Sequence, residues 1–219
     1  MGKTLLPLAL LLALFAACGG SGDSSSDDAS AELPVARIEA RWATGQAASV
    51  ASLTASHGWV FVGEVTGLEE TLEIDLVPGD DGPQATVPGK PLPAQSGPPT
   101  MPVSLFNVRV DDVITGDLVA GETVTIRQSG GLHTQSTGEV IVVELEGDTL
   151  LVPGASYLFF VSPSDSGEFR TSPIARMEVS QDGSFEAVPG FGGLGAMREI
   201  ASLGRAQAEA AITSAGAAQ

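Results

Sequence analysis

Short runs of β-branched and aromatic residues, parted by glycine-bearing turns, recur at even spacing through the second half of the chain and restrict it to a small set of β architectures. Residues 104–115 (SLFNVRVDDVIT) alternate Phe106, Val108 and Val110 against polar neighbours. Residues 122–128 carry Val124 and Ile126, residues 138–146 carry the run from Val140 to Val143, and residues 156–161 read SYLFFV. Gly116-Asp117 and Val119-Ala120-Gly121 supply the turn between the first two. A last hairpin is predicted over residues 175–187, with Asp182-Gly183 at its bend. An earlier run, Trp59 to Val65, suits a buried strand, and residues 71–77 continue it or pair back, with Leu72, Ile74 and Leu76 alternating. Even spacing of such strands predicts an all-β fold with minor α content, a small OB-like or Greek-key β-barrel.

Helices are expected at the two ends of this β region. Residues 46–56 are Ala-rich, with Val50 and Leu53 three apart and Gly58 placed as a C-cap, so a short helix leads into the first strand. Residues 35–42 fit a strand or a helical stripe equally well. Residues 196–211 carry Met197, Ile200, Ala201, Gly204, Ala208, Ala211 and Ile212 in a narrow stripe. Such a helix is marginal alone and is expected to dock against Leu158 or Phe160. Between the first two strand regions, residues 78–102 hold eight prolines and read as a long surface loop without ladder hydrogen bonds.

The amino terminus has a different character. Lys3 precedes TLLPLALLLALFAA, an apolar run over residues 4–17 that is the length of a signal-peptide core and short for a membrane span. It stops at Cys18, the single cysteine, and gives way to GGSGDSSSDD. Ordinary signal cleavage there would place Phe15 at a position that favours small residues. Leu14-Phe15-Ala16-Ala17-Cys18 instead resembles the lipobox of bacterial lipoproteins, with Phe15 standing where leucine is usual. That resemblance implies diacylation of Cys18 with palmitate-type chains, each buried CH₂ contributing about 0.8 kcal/mol to membrane attachment. Residues 1–17 are then a leader and residues 18–34 a Gly, Ser and Asp tether, holding the domain roughly 20 Å from the anchor. Residues 35–190 form the β domain, and residues 191–219 a glycine hinge and terminal helix.

Composition narrows function. Ten basic residues stand against 27 acidic ones, a formal charge of −17. No run of Lys or Arg follows Gly19, and nucleic-acid binding is rejected. The same charge disfavours docking on anionic headgroups, leaving the lipid on Cys18 as the membrane link. Outside Cys18 no thiol is available for a disulfide or a metal.

Three motifs bear on chemistry. Gly190-Phe191-Gly192-Gly193-Leu194-Gly195 matches G-x-G-x-x-G, yet no strand follows it, so a dinucleotide site is refused and a hinge expected. His57 and His133 lie far apart, one at the helix-to-strand junction and one in a glycine-rich loop, without metal-ligand spacing. A serine triad of His133 with Ser129 or Ser136 is conceivable. Asp111, Asp112, Asp117 and Glu122 cluster at one turn and read more readily as a solvated acidic turn than as a calcium loop. No catalytic, cofactor-binding or metal residue is therefore assigned.

The strings HGWVFVGEV, FNVRVDDVITGDL with GETVTI, and LVPGASYLFFV resemble an uncharacterised family of secreted bacterial proteins. Their layout is similar to the netrin-like OB-fold of tissue inhibitors of metalloproteinases, over residues 46–188. The inhibitory Cys-x-Cys of those proteins is missing, and that activity is not carried over. The expectation is a lipid-anchored, non-enzymatic protein on the outer face of a bacterial membrane, binding an unidentified envelope protein or ligand. An envelope hydrolase built on His133 and a purely structural envelope component are the alternatives.

Overall fold

The computed structural model describes residues 33–75 and 100–218. Cys18, the leader, most of the tether and residues 76–99, which include 78–99 of the proline-rich segment, lie outside the described residues. A four-residue 3₁₀ turn at Thr44–Ala47 leads to α1, Val50–His57. Ser49 starts α1 with a reciprocal cap: its hydroxyl accepts the Ser52 N–H, and the Ser52 hydroxyl accepts the Ser49 N–H. Gly58 ends it at φ 74°, a left-handed angle that a side chain disfavours, and donates its N–H to Thr54.

From that cap the chain enters β2, Trp59–Asp75, which pairs antiparallel with β3, Thr100–Thr115. The segment from residue 71 thus continues the first strand. Register shifts along the pair let two long strands coil. Beside β3 runs β4, Thr123–Ser129, antiparallel, and beside β2 runs β7, Ser156–Pro163, antiparallel. The two-residue strand β8, Phe169–Arg170, pairs parallel with β4 and antiparallel with β7. The pairings therefore close a barrel-like ring in the order β7, β2, β3, β4, β8. A hairpin of β9, Arg176–Val179, and β10, Phe185–Ala187, extends the sheet from β7. A second, three-stranded sheet sets β1, Val35–Ile38, parallel to β6, Val140–Leu145, which pairs antiparallel with β5, Gly131–Thr134. The expected mainly β fold with a helix at each end is present.

Three local expectations need correction, and one open reading is decided. The segment from residue 35, left between strand and helix, contains a strand whose backbone pairs parallel with β6. The proline-rich loop does not extend to Pro102: Pro102 sits opposite Glu73 in the ladder, and its carbonyl, which proline retains, accepts the Gly130 N–H. His133 lies on a strand, β5, since residues 131–134 pair with 140–143. The terminal helix is two helices, α2 at Gly195–Ala201 and α3 at Arg205–Ala217, because Gly204 is extended and restarts the chain as an N-cap.

Alternation along β7 divides the core. Tyr157, Phe159 and Val161 point into the ring with Phe61, Phe106 and Ile126. Leu158 and Phe160 point outward into a second cluster with Leu53 of α1, Met197 and Ile200 of α2, and Ile212 of α3. The terminal helical segment shares this outer cluster with Leu158 and Phe160, with α1 packed on β7, α2 on α1 and β10, and α3 on α1 and β3. Each of these large side chains contributes about 1.5–3 kcal/mol through burial.

Candidate functional site

The strands that close the ring also put two arginines side by side. Ile126 of β4 and Phe169 of β8 are register partners that pack toward the ring interior, so the next pair, Arg127 and Arg170, projects from the outer wall. With Ser129 and Thr171 they line an open cleft of about 250 Å³. The Thr171 N–H donates to the Arg127 carbonyl at 3.1 Å, fixing the two chain segments together, while the Thr171 hydroxyl is buried without a partner among the described residues. Neither arginine forms an ion pair among the described residues. The nearby Glu168 is held at a pKa of about 2, first by the Ser164 hydroxyl and then by that of Ser166, both on the same carboxylate oxygen, with a smaller contribution from Arg127.

A buried polar network braces the wall behind this cleft. Gln128, between Arg127 and Ser129, donates its amide to Asp148 Oδ1 at 2.8 Å and to the Thr149 carbonyl at 2.9 Å, and its oxygen accepts the Leu151 N–H at 2.9 Å. Arg176 of β9 meets Asp148 Oδ1 at 2.7 Å and donates to the Thr149 carbonyl at 2.6 Å. Burial raises the Asp148 carboxyl above its usual range, and the Arg176 charge offsets part of that rise. This network links β4, residues 148–151 and β9.

The residues singled out from sequence are dispersed. His57 caps the end of α1, its Nδ1 2.9 Å from the Leu53 carbonyl and its ring edge-on to Phe160. His133 Nδ1 lies 2.7 Å from Glu73 Oε1, a partner sixty residues away that no local spacing announces. A carboxylate therefore does reach His133. Ser129 faces the arginine cleft instead, and Ser136 sits exposed in the turn after β5. The acidic turn is divided among separate partners: Asp111 bonds Arg109, Asp112 pairs with Arg205 at 3.6 Å, Asp117 accepts the Trp59 indole N–H at 2.8 Å, and Glu122 accepts the Val119 N–H. Among the described residues no three His, Cys, Asp or Glu side chains gather as a metal site. No helix among them is long and apolar enough to cross a membrane. The glycine-rich run has a packing role. A Cβ on Gly195 would lie 1.9 Å from the Ala48 carbonyl oxygen, so glycine there lets α2 begin against the turn before α1, and Phe191 packs edge-on against Trp42 at 6.4 Å.

Compared with protein-family models, curated proteins and solved structures, the chain matches none. The reading of function therefore rests on its own residues. Sequence reasoning missed the cleft because Arg127 and Arg170 are joined only by a two-residue strand. Their one local signal is two arginines on the polar side of apolar strand residues.

Proposed function

We propose that the protein is a lipid-anchored, non-enzymatic binding protein on the extracytoplasmic face of a bacterial envelope. The observation that carries this reading is the sequence Leu14-Phe15-Ala16-Ala17-Cys18, set between an apolar run and a Gly, Ser and Asp tether. Its resemblance to a lipobox makes Cys18 the acylated residue and the membrane the first partner. The likeness of residues 46–188 to a netrin-like OB-fold supports a binding role, because OB-like domains present a strand face and flanking loops to ligands. The braced ring wall with its polar cleft is a surface suited to that role, and an envelope protein or small ligand is its partner.

The test is fractionation of cells expressing the wild-type chain and Cys18→Ser. Wild type should sediment with membranes and enter the detergent phase, while Cys18→Ser should be released or remain unprocessed. Normal processing and unchanged membrane partition of Cys18→Ser would overturn the anchor.

A further inference from the structure

We infer that Arg127, Ser129, Arg170 and Thr171 form a binding site for a single tetrahedral oxyanion, a phosphate or phosphate-ester group, on the outer wall of the ring. The inference deepens the binding-protein reading by naming a ligand chemistry, and it rests on that reading only for its biological meaning.

Register is the first support. Arg127 and Arg170 are direct partners of a parallel pair, on the same face of the sheet. Like charges placed opposite one another destabilise a sheet. In a chain with 27 acidic residues against ten basic ones, a carboxylate is the cheapest remedy, and neither arginine has one within ion-pair distance among the described residues. An external anion would relieve the repulsion and gain two charge-assisted contacts.

Donor type is the second. The guanidinium groups of Arg127 and Arg170 only donate, and the Ser129 hydroxyl beside them is able to donate as well. Two guanidinium forks and a hydroxyl offer more donors than the two oxygens of one carboxylate absorb, whereas a tetrahedral oxyanion presents three or four acceptor oxygens. The cleft opens to solvent, so the organic part of an ester can extend outward. The chain's net charge of −17 opposes a polyanion but is screened over about 8 Å at physiological salt, which leaves one phosphate group in contact with the local arginines.

The experiment is calorimetric titration of the full-length mature chain in neutral detergent with inorganic phosphate, against sodium chloride of equal ionic strength. Wild type and Arg198→Gln, altered at an exposed arginine on α2, should bind saturably and alike. Arg127→Gln and Arg170→Gln should each weaken binding by about tenfold or more. In phosphate-free buffer both variants should melt at or above the wild-type temperature, because a repulsion has been removed. Absence of saturable binding to wild type, or equal losses in Arg198→Gln, overturns the site; so does marked destabilisation of Arg170→Gln without phosphate, which would make the arginines structural. Two further arms assign the source. Arginine-dependent binding of glycerol 3-phosphate indicates a soluble ester, and arginine-dependent sedimentation of Cys18→Ser with phosphatidylglycerol vesicles indicates a lipid headgroup. The anchor is tested on Cys18 alone, so failure of one claim leaves the other standing.

Discussion

Arg176 heads the fully buried side chains of the described residues by volume, with 1% of its surface exposed, and it shares its burial with Asp148. Removing a buried charge from water costs several kcal/mol, and here the ion pair, the Gln128 amide and the Thr149 carbonyl offset that cost. Arg176→Met should therefore destabilise the protein by about 3–5 kcal/mol, because Asp148 would stay buried without its cation. Replacing Asp148 by Leu in the same chain should recover much of the loss. Urea unfolding of the single and double variants checks this, and a loss under about 1 kcal/mol in the single variant would show that water reaches Asp148. Little of this was legible in sequence. Arg176 stands between Ala175 and Met177 in an otherwise apolar stretch, a hint of burial, but Asp148 and Gln128 are joined to it only by the folding of three separate segments. The place of His57, by contrast, was legible at the helix-to-strand junction, since its position before Gly58 at the end of α1 is local information. His133 was misplaced in a loop because four residues around glycines carry too little periodicity to mark β5.

At the scale of elements, the alternation of residues 156–161 revealed two apolar faces on one strand and therefore two separate covers. The ring interior takes one, and α1, α2 and α3 take the other. A chain ending at Gly190 loses Met197, Ile200, Ala208 and Ile212, all fully buried, from the cluster that holds Leu158 and Phe160. That truncation should melt at lower temperature, bind more hydrophobic dye and lose solubility. A truncated chain that remains monomeric with unchanged melting and dye binding would contradict the helical cover. The presence of the main strands and of the Gly58 cap at the end of α1 was readable because propensity, capping and side-chain period agree there, whereas the helices' other ends were not. The closing strand β8 was not, since two residues have no period, and the parallel pairing of β1 with β6 depends on contacts over a hundred residues apart. The break between α2 and α3 had a local sign, Gly204, that the continuous apolar stripe obscured.

On the scale of the whole molecule, the proposals separate attachment from recognition. Under them, an acidic domain that anionic headgroups repel is held at the membrane by the lipid on Cys18. The ring carries Arg127 and Arg170 as register partners in a chain whose net charge is −17. The two proposals are separable by mutation, one at Cys18 and the other at the arginines. The central claim is the identity of the mature amino terminus, and its most direct measurement is intact and peptide mass analysis of the chain purified from bacterial membranes. The account predicts a chain that begins at Cys18 and carries diacylglycerol on its sulfur. A mature chain that begins elsewhere, or one that starts at an unmodified Cys18, would contradict it.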